Sequence, residues 1–79
     1  MKPIQDIVNR ILHDASLQKE EYVLFYYDRI EKVLKEIPAT SIKKLEGTFL
    51  ILHLEGEEVE IPLHRIREVR KEGKLIWKR

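Results

Sequence analysis

Ile4, Ile7, Val8, Ile11 and Leu12 recur at i, i+3, i+4, i+7 and i+8, the spacing that puts apolar side chains on one face of a helix. Asp6, Asn9, Arg10 and His13 fall on the opposite face, and Pro3 suits the first turn. The pattern predicts a helix over about residues 3–13, followed by the polar connection "DASLQKEE". From Tyr22 the periodicity changes. "YVLFYYDRI" is aromatic and β-branched and predicts a strand over 22–29, paired through a tight turn near Ile30–Lys32 with a more polar strand over 32–37. "ATSIKKLEG" reads as a loop or a single helical turn. "TFLILHL" is apolar on both faces and predicts a central strand over 48–54.

Gly56 marks the next reversal, and "EVEIP" alternates acid and apolar residues as a strand over 57–61 that Pro62 ends. Leu63, Ile66 and Val69 are spaced by three, which predicts one tight helical turn at "PLHR". Strands over 66–71 and 74–79 follow, reversed at Glu72-Gly73. No repeat or linker stands out, so residues 1–79 read as a single domain. The fold expected is α+β: the N-terminal helix packed on a strongly bent antiparallel sheet or small half-open barrel of about six strands.

Charge adds what periodicity does not. The chain has a net charge of +1, yet residues 1–61 hold eight Lys/Arg against twelve Asp/Glu, and residues 62–79 hold seven against two. A basic end on an acidic body points to an anionic partner. Cationic strand ends also serve simply to blunt sheet edges.

The chain has no cysteine, which excludes disulfides, thiolate zinc sites and thiol nucleophiles and suits a cytoplasmic setting. No apolar run approaches the roughly 20 residues needed to cross a bilayer, and "MKPIQDIVNR" reads as an amphipathic helix, not a signal-peptide core. The three histidines show no metal-ligand spacing, and no Gly-rich phosphate loop or serine elbow is present, so neither metal nor cofactor is expected.

Two stretches could hold an anion. In "IPLHRI", His64 and Arg65 project from the predicted turn, and an arginine fork beside an imidazole suits phosphate oxygens. The plainer alternative has His64 capping the turn and Arg65 paired with an acid such as Glu60. In "YYDR", alternation places Tyr27 with Arg29 on one face and Tyr26 with Asp28 on the other, so Tyr27 and Arg29 suit a base and its phosphate. Edge tyrosines and a hairpin turn explain the same residues. Trp77 reads as core, and His53 as a buried or strand-edge histidine satisfied by backbone.

"NRILHD", "YYDR", "IPLHRI" and the closing "GKLIWKR" occur in an order that resembles the small archaeal RNA cyclic group end recognition domain family, over nearly the whole chain. Family members often carry an aromatic where this chain has His13 and a tyrosine where it has Leu63. The resemblance implies a non-catalytic module that binds processed RNA ends, such as a terminal 2′,3′-cyclic phosphate. It brings in Asn9, Arg10 and Asp14 from "NRILHD", Arg29 from "YYDR", His64 and Arg65 from "IPLHRI", and, from the closing segment, Arg79 with Trp77, the latter as a structural or stacking residue. RNA is then the expected partner. An adaptor docking onto RNA-processing proteins and a phosphoesterase using His64 remain as alternatives. A single site needs the helix, the first hairpin and the Pro62 corner to converge on one cationic hollow.

Overall fold

The computed structural model describes residues 3–79. The helix α1 spans Ile4–His13, with Pro3 as its extended cap residue, and buries Ile4, Val8 and Ile11. At its end the Asp14 amide donates to the Arg10 carbonyl at 2.9 Å. The Asp14 carboxylate then accepts from the Ser16 hydroxyl at 2.6 Å and the Ser16 amide at 2.9 Å, which turns the chain towards the sheets. Those bonds, the hydroxyl's first, hold the Asp14 carboxyl below its ordinary pKa.

Seven strands follow: β1 Tyr22–Asp28, β2 Val33–Pro38, β3 Ile42–Glu46, β4 Phe49–Leu54, β5 Glu57–Pro62, β6 Ile66–Lys71 and β7 Lys74–Lys78. They form a four-stranded sheet in the order β2-β1-β6-β7 and a three-stranded sheet in the order β3-β4-β5. Every pairing is antiparallel, and the two sheets do not close into a barrel. The α+β expectation holds, with the bend resolved into two sheets. Leu24, Ile37, Leu50, Leu52, Ile66 and Val69 are fully buried with the α1 stripe in one core. Each such aliphatic side chain contributes roughly 1.5–3 kcal/mol of burial. β4 is the central strand of its sheet, and Ile51 is buried on the face away from that core.

Two expectations change. The strand missing from the sequence reading is β3, inside "ATSIKKLEG". Its period-two signal is hidden because only Ile42 and Leu45 are apolar and the pairing with β4 is irregular between Ile42 and Lys44. The chain also contains a repeat. Glu36-Ile37-Pro38-x-x-x-Ile42 and Glu60-Ile61-Pro62-x-x-x-Ile66 are the same motif. In each, proline sits near φ −61° with ψ 135° or 138°, a single 3-10 turn follows, and isoleucine restores extended backbone. The isoleucines and the first turn residue (Ala39 or Leu63) are buried in both corners. Thr40 and His64 are exposed, and Ser41 and Arg65 half-buried. The first corner carries the chain from the four-stranded sheet to the three-stranded one, and the second carries it back. A seven-residue motif with only four fixed letters is too short to register as a repeat by composition.

Reversals at Glu55-Gly56 and Glu72-Gly73 place both residues at positive φ, the two-residue hairpin geometry that matches strand twist. The Glu72 amide also donates to the Glu21 carbonyl at 2.7 Å.

Candidate nucleic-acid interface

The β1–β2 hairpin is closed by Asp28. Its carboxylate accepts from the amides of Ile30 at 2.8 Å and Glu31 at 3.1 Å, and its carbonyl accepts from the Lys32 amide at 2.7 Å. Lys35 bridges Asp28 and Glu31, each at 3.1 Å. The Glu31 amide first, then the Lys35 ammonium, hold the Asp28 carboxyl below its ordinary range, and Asp28 in turn raises Lys35. Asp28 is therefore a fastener of the turn. Arg29 and Ile30 stand at the tip, both exposed, with Ile30 92% accessible.

Opposite this tip lies the second corner. Tyr26, Asp28, Arg29 and Ile30 from the hairpin, and Val59, Glu60, Ile61 and Arg65 from β5 and the corner, line one open hollow of about 370 Å³. Arg29 and Arg65 thus reach the same space from segments distant in sequence. Arg65 forms no ion pair among the described residues, and its Nε is buried with no hydrogen-bond partner there. The alternative pairing of Arg65 with Glu60 is not made, although Glu60 lines the hollow. A buried unsatisfied donor costs about 1–3 kcal/mol, more when charged, so Arg65 carries a standing penalty in this fold.

The corner itself is clamped from behind. Arg79 donates from Nε to the Ile66 carbonyl at 3.0 Å and from Nη2 to the Leu63 carbonyl at 3.1 Å, and its amide donates to the Arg67 carbonyl at 2.9 Å. The Leu63 amide donates to the Thr48 carbonyl at 2.9 Å. Arg79 also stacks 5.4 Å from the centroid of Trp77, which is buried as expected. Arg79 therefore acts on the corner's backbone, a role that no motif in the sequence reveals.

The other expected residues fall elsewhere. His64 stands exposed on the turn beside Arg65, outside the hollow's lining and with no hydrogen-bond partner among the described residues; it does not cap the turn. Tyr27 points from the other side of β1 and lies under Arg67, with 5.6 Å from guanidinium to ring centroid. The expected sharing of a face by Tyr27 and Arg29 does not occur, because β1 ends at Asp28 and strict alternation ends with it. Asn9 and Arg10 are exposed on α1. Arg10 lines a separate apolar hollow with Ile7, Ile11, Leu17, Tyr22 and Ile76, and Asp14 is occupied with Ser16. The helix does not contribute to the Arg29–Arg65 hollow. His53 is exposed on β4, since it alternates with the core-facing Leu52.

A hollow of about 500 Å³ at the first corner is lined by Thr40, Ser41, Ile42, Lys43, His53, Gly56 and Glu58. There the Ser41 hydroxyl donates to the Pro38 carbonyl at 2.7 Å, and Lys43 lies 3.9 Å from Glu58. Groups of three or more His, Cys, Asp or Glu able to hold a metal do not occur among the described residues, and none of the described helices is long and apolar enough to cross a membrane.

Across residues 1–79 the chain matches the family described as the MJ1316 RNA cyclic group end recognition domain. It is similar to a UPF0248 protein of Saccharolobus solfataricus, 38% identical over 79 residues that cover 96% of this chain and 95% of the relative. A UPF0248 protein of Metallosphaera sedula is 37% identical over 76 residues, covering 96% and 91%, and one of Methanopyrus kandleri is 34% identical over 70 residues, covering 87% and 89%. No solved structure matches. The chain belongs to the RNA cyclic group end recognition domain family.

Proposed function

We propose that this domain binds processed RNA ends, with a terminal 2′,3′-cyclic phosphate or related phosphate seated between Arg29 and Arg65. The observation that carries the reading is the half-buried Arg65, which forms no ion pair and leaves its Nε without a hydrogen-bond partner among the described residues, at a hollow that Arg29 also lines. A guanidinium offers a planar fork of donors, and its bonds to phosphate are charge-assisted, roughly twice as strong as neutral ones. Because Arg65 is already partly desolvated and its corner is clamped by Arg79, little ordering is left to oppose binding.

Ile30 and Tyr26 give the terminal nucleoside apolar surface beside the phosphate. His64 adds a directional donor at the rim, and Lys71, Lys74, Lys78 and Arg10 add diffuse attraction. The family's name, with its reference to RNA cyclic group ends, supports the same ligand class. Asn9 and Asp14 are left without a ligand role.

Titration of labelled RNAs ending in 2′,3′-cyclic phosphate, 3′-phosphate or 3′-hydroxyl, at two salt concentrations, tests the reading. The cyclic end is expected to bind tightest and all three to weaken as salt rises, because neutralised phosphates release counterions. Equal and salt-insensitive affinities overturn it. RNA recovered from the same samples is expected to keep its cyclic phosphate, since acid–base opening needs a positioned pair of groups and no histidine is among the described residues that line the hollow.

A further inference from the structure

The face of the four-stranded sheet turned away from the core is built unlike an ordinary solvated face. Tyr22 and Leu24 on β1 point into the core and Tyr26 packs against it, so Val23, Phe25 and Tyr27 alternate outward. Phe25 lies opposite Glu36 on β2 and Glu68 on β6, Tyr27 lies opposite Leu34, and Arg70 lies opposite Leu75. Arg70 sits 4.9 Å from the Phe25 centroid, and Arg67 sits 5.6 Å from that of Tyr27.

Arg67 owes its place to a bulge. Phe25 pairs with Glu68 and Tyr26 with Ile66, so Arg67 is the extra residue on β6, and a bulge re-aims such a side chain. Two rings spaced about 7 Å along one strand therefore lie beneath two guanidinium groups. Lys78, opposite Glu68, adds a third cation. The acids on this face are Glu36 and Glu68, and Glu68 is neutralised by Arg70 through Nε at 3.1 Å and Nη2 at 2.8 Å. Arg67 has no carboxylate within ion-pair distance among the described residues.

We infer that this outer sheet face is a stacking platform for unpaired RNA bases, receiving the nucleotides that precede the end held at Arg29 and Arg65. Rings on the inner strand β1, with the Arg67 and Arg70 guanidinium groups set beside them, offer stacking surface to bases, while Arg67 and Lys78 face the phosphates and Arg70 is paired with Glu68. That combination of π surface and interleaved cation fits single-stranded nucleic acid and does not suit an apolar protein surface. The two sites adjoin through β1. Its pairing with β6 stops at Tyr26↔Ile66, so Tyr27 and Asp28 are hydrogen-bonded only towards β2. A strand of RNA leaving the hollow beside Tyr26 and Asp28 meets Tyr27 at this open side.

The path from end to platform rests on the proposed end-binding site, while the platform itself is testable without it. The experiment compares a ten-nucleotide single-stranded RNA ending in 3′-hydroxyl, the same RNA as a blunt duplex, and uridine 2′,3′-cyclic phosphate alone. Wild type, Phe25→Leu with Tyr27→Leu, and Phe25→Tyr are used. The double leucine variant keeps the apolar cover, and its thermal midpoint checks that it is folded.

Base–aromatic stacking carries much of sequence-tolerant single-strand affinity, so the double variant is expected to lose about tenfold or more for the single strand. It should bind the mononucleotide as wild type does, and Phe25→Tyr should retain the single-strand affinity. Unchanged single-strand affinity in the folded double variant overturns the platform, as does equal wild-type affinity for the duplex. Failure of end recognition reads differently: the mononucleotide then binds nowhere, while the leucine variant still loses the single strand.

Discussion

The corner at Pro38 and the corner at Pro62 share backbone angles, buried isoleucines and the pattern of exposed and half-buried turn residues. They differ in what the turn carries outward. The first places Thr40 and Ser41 beside a hollow where Ser41 is satisfied by its own backbone and Lys43 approaches Glu58. The second places His64 and Arg65 beside a hollow that Arg29 also lines, and Arg65 has no ion pair and a partnerless Nε among the described residues. The difference separates scaffold from chemistry within one motif. Ile-Pro-x-x-x-Ile makes a reliable sheet-to-sheet corner, and the two residues before the final isoleucine are free to take on another task.

If the two corners are equivalent hinges between the sheets, losing either pivot costs similar stability. Ile42→Ala and Ile66→Ala each remove a buried pivot and are expected to cost about 2–5 kcal/mol, read as the free energy of urea denaturation. Near-equal losses support equivalent corners. A trivial loss at either one shows that its motif is not holding the sheets together.

Next comes binding. Arg65→Ala is expected to weaken cyclic-phosphate RNA by about tenfold to a hundredfold, the equivalent of the ~1.5–3 kcal/mol carried by a charged hydrogen bond. Ser41→Ala, at the matching position, is expected to leave RNA affinity unchanged, since its hydroxyl is spent on Pro38. Both are read by fluorescence anisotropy. Comparable losses in the two variants would erase the distinction between the corners.

Glu60→Gln sharpens it further. Glu60 lines the Arg29–Arg65 hollow without pairing with Arg65, so it repels an incoming anion. Its neutralisation is expected to tighten the cyclic end by roughly twofold to fivefold, the span of about 0.5–1 kcal/mol for an exposed charge. Weaker binding in this variant would mean that Glu60 orients the arginines.

The smallest effect lies in the turns that follow the corners. The Glu21 carboxyl has a raised pKa because it shares a hydrogen bond with Glu72, with burial and the Glu72 charge adding to the shift. Glu46, in the corresponding turn, faces Lys44 at 3.2 Å instead. A carboxyl raised in the folded state contributes stability below the ordinary glutamate pKa of 4.5 and loses that contribution as pH climbs through the raised value. Thermal midpoints of wild type should therefore carry a small decline just above pH 4.5 that Glu72→Gln flattens and Glu46→Gln does not. An unaltered pH profile in Glu72→Gln would remove this pair from the account.

The helix, six of the strands and the Glu72-Gly73 reversal are legible because each has a period, a strand-like composition, an apolar run or a turn pair. β3 is not, because two apolar residues among charges carry no period. It becomes visible only when "EIPATSI" is set beside "EIPLHRI". The basic C-terminal segment left Arg65 open between an anion site and a pairing with Glu60, and only the fold shows that no such ion pair forms among the described residues. The segment could not show that Arg79 turns back onto the Leu63 and Ile66 carbonyls, because that bond depends on the β6–β7 register. Asn9, Arg10 and Asp14 entered through motif resemblance alone, and helix geometry puts none of them in the hollow's lining. The Phe25–Arg70 and Tyr27–Arg67 stacks depend on cross-strand pairing and a bulge, which no local pattern encodes.

The most direct test of the central claim follows the Arg65 Nε–H by proton–nitrogen NMR while uridine 2′,3′-cyclic phosphate is added to the whole protein. This resonance is expected to shift saturably together with the Arg29 and Ile30 amides, while the Thr40 and Ser41 amides stay where they are. A still Arg65 signal, or shifts centred on Thr40 and Ser41, would contradict it.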